Sequence, residues 1–154
     1  MSEMKLSCDW KGGLAFTAEV RGHAIVMDAK KESGGGDTGP TPKETALAGV
    51  CGCTGIDVAS ILKTMRQPPS SIRIGARAFS RSKEPNIFEK VELDFHIEGE
   101  GIVPAKALRA VELSQTKYCS VSAMVALAGA EIRFRVILNG TEVGTGQAKF
   151  SLSL

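Results

Sequence analysis

The sequence predicts an α+β fold in which antiparallel sheets surround a long apolar helix. Strand-like segments occur in pairs joined by short turns, as in antiparallel sheets, and helical segments separate the pairs. A third observation concerns the helix within residues 39–65, which is apolar around most of its circumference and therefore needs cover on every side. One chain of 154 residues supplies limited cover, so we expect a homodimer that wraps this helix.

The chain begins with three predicted strands. Residues 4–9 and 14–20 form the first two, joined across Lys11-Gly12-Gly13, and residues 24–27 form the third. The glycine-rich loop that follows, residues 30–40, lacks the Lys-Ser/Thr ending of a phosphate-binding loop. We therefore interpret this loop as a flexible approach to the helix, in preference to an anion-binding site.

The long helix has clear start and stop signals. Thr41 and Glu44 have the spacing of a capping box, and Pro42 suits the first helical position because its missing N–H would be unpaired there. Pro68 and Pro69 prevent the helix from continuing. Inside it, Gly49, Gly52 and Gly55 should each cost about 1 kcal/mol relative to alanine, which predicts that another backbone packs closely against them.

The second half of the chain is predicted to contain two strands, then helical segments, then a strand hairpin. Val91, Leu93, Phe95 and Ile97 alternate with polar residues, which predicts a strand with one buried face. In chain order the elements are strands 71–80 and 90–98, a helix from Pro104 towards Tyr118, a helical segment 120–128, and a hairpin 131–154 around Asn139-Gly140.

The composition excludes several classes of protein. A net charge of +2 with scattered basic residues argues against nucleic-acid binding. No uninterrupted apolar run reaches the roughly 18 residues of a membrane span, and no signal peptide is recognisable. We expect a single cytoplasmic domain over residues 1–154 that binds no membrane. Its four cysteines would be reduced in that compartment.

Among the side chains of this sequence, the cysteine thiols are the remaining candidates for chemical reactivity. The chain has two histidines, and Cys51-Gly52-Cys53 lacks the Cys-x-x-Cys spacing of structural zinc sites, so we expect no bound metal. Residues two apart on a helix point about 200° apart, so Cys51 and Cys53 cannot both face one site. From spacing alone, all four cysteines are also compatible with buried small hydrophobic side chains.

Cys53 and Cys119 stand out by their context. Cys53 lies within the long helix, whereas Cys119 lies where one helical segment gives way to another and the backbone has more freedom. Peroxide reduction through a disulfide needs such a pair, in which one thiolate attacks the O–O bond and a second thiol traps the sulfenic acid.

These segments resemble a known family. Gly-Pro-Thr-Pro-Lys-Glu from Gly39, Ala-Gly-Val-Cys-Gly-Cys-Thr from Ala48 and Lys-Tyr-Cys-Ser-Val-Ser from Lys117 are similar to motifs of the OsmC/Ohr family of organic hydroperoxide reductases, and in particular to its less characterised OsmC-like branch. The resemblance extends from Trp10 to the C-terminal strands.

The resemblance implies an intertwined homodimer with two long helices at its centre and active sites at the interface. Cys53 would be the peroxidatic cysteine and Cys119 the resolving one. The substrate would be an organic hydroperoxide, the reductant a dithiol of the lipoyl type, and no metal, haem or flavin would be needed.

The match is incomplete at the helix start. Active family members have a glutamate directly after the proline, where this chain has Lys43, and Glu44 follows one residue later. On a continuous helix Glu44 lies about 180° around the axis from Cys53, so its capping role is the simpler interpretation. Lys43 is about 80° away and would favour a Cys53 thiolate if it lay nearby. Arg21 is the candidate for the family's thiolate-orienting arginine.

Three functional hypotheses remain. The first is a thiol peroxidase with Cys53 as nucleophile and Cys119 as resolving residue. The second is a non-catalytic dimer that binds a small apolar or electrophilic ligand between its subunits, motivated by the displaced glutamate. The third, redox sensing through Cys51 and Cys53, is disfavoured by their opposed directions on the helix.

Overall fold

A computed structural model describes residues 1–152 of the chain. It contains seven strands and three α-helices within that range, which confirms the predicted α+β class. The chain divides into two compact units, Met1–Ala48 and Gly49–Leu154, and helix α1 (Pro42–Thr64) runs from the first into the second. That residues 1–154 form a single domain stays a prediction.

The first unit contains a three-stranded antiparallel sheet. Its strands, in the order β1-β2-β3, are β1 (Ser7–Trp10), β2 (Phe16–Val20) and β3 (His23–Met27). Arg21 and Gly22 form the two-residue turn between β2 and β3, with φ angles of 53° and 81°. Such a turn requires positive φ at both positions because its twist must match that of the strands.

Asp28, which follows β3, organises the loop before α1. Its side chain is buried, and its carboxylate accepts hydrogen bonds from the backbone N–H groups of Ala29, Gly36 and Thr38 and from the Thr38 hydroxyl, at 2.7–3.2 Å. These bonds, led by that of the Thr38 hydroxyl, lower the pKa of Asp28. The loop is thus built around a carboxylate, a feature that the sequence analysis did not identify.

The predicted capping box is present at the start of α1. The Thr41 N–H donates to Glu44 Oε2 at 2.8 Å, and the Glu44 N–H donates to Thr41 Oγ1 at 3.3 Å. Lys30 Nζ also lies 3.3 Å from the Glu44 carboxylate. These contacts, with the Thr41 N–H as the main cause, lower the pKa of Glu44.

One face of α1 is buried within the second unit. Val50, Thr54, Val58 and Leu62, each four residues after the last, are fully buried. A Cβ atom on Gly55 would lie 3.2 Å from Ile74 Cδ1, so the close neighbour there is a side chain and not the backbone that was predicted. At Gly52 a Cβ would meet no atom of the described residues within 4 Å. The backbone packing predicted for this glycine is therefore not provided by the described part of one protomer.

By length and composition alone, α1 could cross a membrane. It has 23 residues and a mean hydropathy of 1.6 over its most apolar window, although no uninterrupted apolar run is long enough. The core helix of a globular protein meets the same criterion, and the buried face of α1 packs in such a core.

The second unit has a four-stranded sheet, in the order β4-β5-β6-β7. Its predicted alternation is confirmed, since Val91, Leu93, Phe95 and Ile97 are all buried. Phe95 packs edge-on against Phe134, with the ring centroids 6.4 Å apart. The strands are β4 (Ser71–Ser80), β5 (Phe88–Glu98), β6 (Glu131–Leu138) and β7 (Thr141–Gln147).

The pairing of β5 with β6 corrects the prediction of purely antiparallel sheets. These two strands run parallel, whereas β4 with β5 and β6 with β7 are antiparallel. The chain between β5 and β6 forms α2 (Pro104–Leu113), a π-helical segment (Ser114–Tyr118) and α3 (Ser120–Leu127). A helical crossover returns the chain to the end of the sheet where β5 started, so the next strand runs in the same direction.

Candidate functional site

Three potential donor atoms converge in the second unit. The sulfur atoms of Cys53 and Cys119 and a carboxylate oxygen of Asp57 all lie within 4.8 Å of one another. Cys53 and Asp57 are four residues apart on α1 and therefore share a face of the helix. Cys119 comes from the junction of the π-helical segment and α3. The predicted proximity of the two remote cysteines is thus present in the fold.

At the junction of the π-helical segment and α3, Cys119 forms hydrogen bonds through both its backbone N–H and its sulfur. Its N–H donates to the Ser114 carbonyl at 2.9 Å, which closes the π turn. Its Sγ accepts the Ser122 N–H at 3.3 Å, so the Cys119 side chain is the N-terminal cap of α3. Single π turns occur frequently at functional sites because they change the direction in which the following residues point.

A directed chain of hydrogen bonds supports the site. The Ser114 hydroxyl donates to Asp57 Oδ2 at 2.9 Å, and its oxygen lies 2.7 Å from the Thr54 hydroxyl. Since a serine has one hydroxyl proton, Thr54 must donate to Ser114. Gln115 Nε2 donates in turn to Thr54 at 2.9 Å and to Ser122 at 3.1 Å. The series of hydrogen bonds therefore ends at the Asp57 carboxylate, which accepts the last of them.

The uncharged side chains of this hydrogen-bond chain are buried. Thr54, Ser114, Gln115 and Ser122 are fully buried. Gln115 Oε1 is also buried and has no hydrogen-bond partner among the described residues. Breaking one bond of a buried network leaves a polar group unpaired, so the network fixes the position of the π segment against α1.

The two cysteines of the site have different environments. Cys119 is fully buried, and this burial, opposed by its hydrogen bonds with Ser122, raises the pKa of its thiol to about 11. Cys53 is half-buried and lies 3.9 Å from Ser120 Oγ. At neutral pH Cys119 is therefore a protonated thiol, and Cys53 is the more accessible sulfur. Cys51 is outside the cluster, and burial raises the pKa of its thiol.

A groove of about 470 Å³ adjoins the site. Cys119 and Ser120 line it together with apolar side chains, of which Met124 and Leu152 are well exposed. The other large apolar residues of its lining are Tyr118, Leu127 and Phe150. The groove can accept an apolar molecule beside Cys119.

A larger groove, of about 590 Å³, lies on the outer face of the sheet. Arg135 forms two hydrogen bonds to Asp94, at 2.8 and 2.9 Å, and Arg77 pairs with Glu92 at 2.6 Å. These charges bridge neighbouring strands, and no cysteine lines the groove. Of these two grooves, the smaller one is lined by a cysteine, Cys119.

Comparison with known proteins identifies the family. The model of the family described as "OsmC-like protein" matches residues 34–135, more than half of the chain. This chain belongs to the OsmC-like protein family. The matched range contains both site cysteines and Asp57.

Relatives and solved structures agree with this assignment. The Escherichia coli K12 protein YhfA is 37% identical over 123 residues, which cover 79% of this chain and 89% of YhfA. A hypothetical protein from Aquifex aeolicus superposes with a TM-score of 0.77 at 28% identity, covering 90% of this chain and 99% of its own. An organic hydroperoxide resistance protein OsmC from Legionella pneumophila has the same fold, with a TM-score of 0.63 at 16% identity over 90% of this chain and 98% of its own.

The other predicted site residues of this OsmC-like chain lie in its first unit. Arg21 is exposed at the tip of the β2–β3 turn, and Glu44 takes part in the helix cap. Their roles at the cysteine site, and any effect of Lys43 there, stay predictions. Cys8 is exposed on β1.

Sequence reasoning missed Asp57, Thr54, Ser114 and Gln115. A signal for Asp57 was available, because an acidic residue four positions after a cysteine on an apolar helix must share its face. Ser114 and Gln115 gave no such signal, since their positions depend on the π turn. An irregular turn of this kind is not encoded in hydrophobic periodicity.

Proposed function

We propose that this OsmC-like protein is a thiol-dependent peroxidase that reduces organic hydroperoxides. Cys53 would be the attacking residue and Cys119 the resolving residue. The observation that carries the proposal is the separation of their sulfur atoms, which is within 4.8 Å although the residues are far apart in sequence. A disulfide bond is about 2 Å long, so its formation would bring the two sulfurs together by up to about 2.8 Å, through a local shift that releases the hydrogen bonds of Cys119.

The chemistry balances without a metal or an organic cofactor. The Cys53 thiolate attacks one oxygen of the hydroperoxide, the O–O bond breaks, and the alkoxide takes a proton to leave as an alcohol. Cys119, whose pKa burial raises, then gives up its thiol proton as its sulfur attacks the sulfur of the Cys53 sulfenic acid. The S–S bond forms, the S–O bond of the sulfenic acid breaks, and the hydroxyl leaves as water with that proton. A dithiol reductant of the lipoyl type restores both thiols by exchange.

The groove beside Cys119 supports an organic substrate. Exposed apolar side chains such as Met124 and Leu127 would contact the hydrocarbon part of a hydroperoxide. Hydrogen peroxide has no such part. We therefore expect organic hydroperoxides to react faster than hydrogen peroxide.

We also propose that the protein acts as a cytoplasmic homodimer. On α1, Ile56 is 74% exposed, and the described residues leave open space next to Gly52. An exposed apolar face on a central helix is explained if a second copy covers it.

The deciding experiment is disulfide mapping after oxidation. The reduced protein is treated with cumene hydroperoxide and its peptides are analysed without reduction. We expect a disulfide between Cys53 and Cys119 and the loss of peroxide consumption in Cys53→Ser. In Cys119→Ser we expect Cys53 to carry a sulfinic acid, because nothing resolves the sulfenic acid. Cys51→Ser is the matched control and should behave as the wild type. Unchanged peroxide loss in Cys53→Ser would refute the proposal.

Arg21 and Glu44 can be tested in the same assay. If Arg21 orients the thiolate, Arg21→Ala lowers the rate of Cys53 oxidation and leaves the disulfide pairing unchanged. For Glu44→Ala, a catalytic role predicts the same result, whereas its capping contacts predict a less stable helix with a normal rate.

A non-catalytic ligand-binding protein is the second candidate. The apolar groove and the displacement of the family glutamate by Lys43 favour it. It predicts that Cys53 is alkylated at the rate of an ordinary thiol and that no peroxide is turned over. Rapid peroxide oxidation of Cys53 would exclude it.

A further inference from the structure

We propose that Cys53, Asp57 and Cys119 form a binding site for one zinc ion. The binding itself depends on the cluster alone. Its effect on activity, which is to block peroxide reduction reversibly, rests on the peroxidase function proposed above. The sequence analysis predicted no bound metal, and Cys-x-x-x-Asp on a helix with a distant cysteine as the third ligand does not match the usual zinc motifs.

The donor atoms lie close to zinc geometry. A tetrahedral ion with Zn–S bonds of about 2.3 Å and a Zn–O bond of about 2.1 Å holds its sulfurs about 3.8 Å apart and each sulfur about 3.6 Å from the oxygen. The donors of this cluster are all within 4.8 Å of one another. A contraction of up to about 1.2 Å brings them to coordinating distances.

The chemistry of the donors selects the ion. Zinc binds cysteine as a thiolate, so its binding releases the Cys119 thiol proton to solvent. Two thiolates with one carboxylate suit zinc, a borderline-soft ion that takes sulfur and oxygen ligands, and disfavour magnesium and calcium, which prefer oxygen alone. With three protein ligands, the fourth position of a tetrahedral zinc ion would be taken by a water molecule.

The surroundings already orient two of the three ligands. Ser114 donates to one oxygen of Asp57, and the Ser122 N–H donates to the Cys119 sulfur. Such outer contacts fix ligand orientation and are a regular feature of metal sites. The buried chain through Thr54 and Gln115 holds Ser114 in turn. The ligands therefore lose little further freedom on binding the ion.

Zinc and peroxide compete for the same sulfurs. A metal-bound Cys53 thiolate has its electron pair engaged and cannot attack the O–O bond, so the loaded protein is held reduced. Oxidation proceeds from the metal-free protein after the ion has dissociated as its aqua ion: two thiolates, one hydroperoxide and two protons give the disulfide, an alcohol and water, and the disulfide leaves no thiolate for the zinc to bind again. The cluster would thus bind zinc when peroxide is scarce and release it during oxidation.

The test is a titration of the reduced, full-length protein with zinc, followed by calorimetry, and with cobalt, followed by absorption. We expect one ion per protomer and a sulfur-to-cobalt charge-transfer band with the intensity of two thiolates. Because loss of outer-shell partners alone weakens metal sites about 10- to 100-fold, Cys53→Ser, Cys119→Ser and Asp57→Asn should each lower zinc affinity at least that much. Asp57→Asn keeps the shape of the side chain and an oxygen for Ser114, and circular dichroism checks that it folds.

Cys51→Ser is the matched control, since it removes a cysteine of the same helix outside the cluster. It should bind zinc as the wild type does, and the oxidised protein should bind none. Wild-type affinity in Asp57→Asn or Cys119→Ser, or a loss of binding in Cys51→Ser, would overturn the proposed site. A protein that binds zinc as expected yet shows no peroxidase activity would refute the proposed function and leave the metal site standing.

Discussion

Thr54→Val tests whether the buried hydrogen-bond chain stabilises the candidate site. Valine has nearly the same shape as threonine, so the substitution removes the hydroxyl and leaves the packing of α1 in place. The hydroxyl forms two bonds, at 2.7 Å to Ser114 and at 2.9 Å from Gln115, in a fully buried position. At about 1 kcal/mol of net stability for each hydrogen bond, we expect a loss of about 2 kcal/mol.

The measurement is urea unfolding at a fixed protomer concentration, supported by a thermal scan. For a chain of this size, a loss of about 2 kcal/mol corresponds to a decrease in Tm of about 4–8 °C. The matched control is Thr64→Val on the same helix, where the exposed hydroxyl donates to the Ser60 carbonyl at 3.0 Å. An exposed substitution of this kind should change the stability by about 0.5 kcal/mol or less.

A catalytic readout accompanies the stability measurement. Since Thr54 holds Ser114 at the start of the π segment, its loss should also slow formation of the Cys53–Cys119 disulfide after oxidation. Equal stability changes in Thr54→Val and Thr64→Val would refute the argument that the chain fixes the site. Such a result would mean that packing alone holds the π segment against α1.

Three further predictions concern other parts of the fold. Because the pKa of Asp28 is lowered in the fold, the stabilisation from its hydrogen bonds is fully present above its ordinary pKa and is lost as the pH falls through the lowered pKa; the protection of the Gly36 amide against hydrogen exchange should decrease there, and Asp28→Asn should remove this pH dependence. Ile56→Asp should convert the proposed dimer to a monomer in sedimentation velocity, because a charge replaces an apolar residue that is 74% exposed in one protomer. Gly55→Val should reduce the free energy of unfolding by about 1–3 kcal/mol, measured with urea, because even a Cβ atom there lies 3.2 Å from Ile74.

Local signals in the sequence predicted the regular elements well. The capping box of Thr41 and Glu44 gave the start of α1, and the alternation around Phe95 gave the buried face of β5. Both signals depend on residues close together in the chain. The parallel pairing of β5 with β6 depends on where the crossover places the chain, and turn signals do not report that.

The candidate site was predictable in part. The two cysteines were identified by their chemistry and by resemblance, and the fold places them together. Their hydrogen-bonded surroundings were not predicted, because Ser114 and Gln115 reach α1 only through a π turn. Serine and glutamine are also common in helices without any such role, so their side chains carry no distinguishing pattern.

The capping role of the Cys119 sulfur has a consequence for the proposed catalytic cycle. A disulfide sulfur is a poorer acceptor than a thiol or thiolate, so oxidation weakens the bond from the Ser122 N–H. Loss of an N-cap costs a helix about 0.5–2 kcal/mol, and α3, with 8 residues, has few internal bonds to offset it. If the protein is the proposed peroxidase, each turnover should therefore fray the first turn of α3 and re-form it on reduction, which would loosen one wall of the groove while the alcohol departs and the reductant enters.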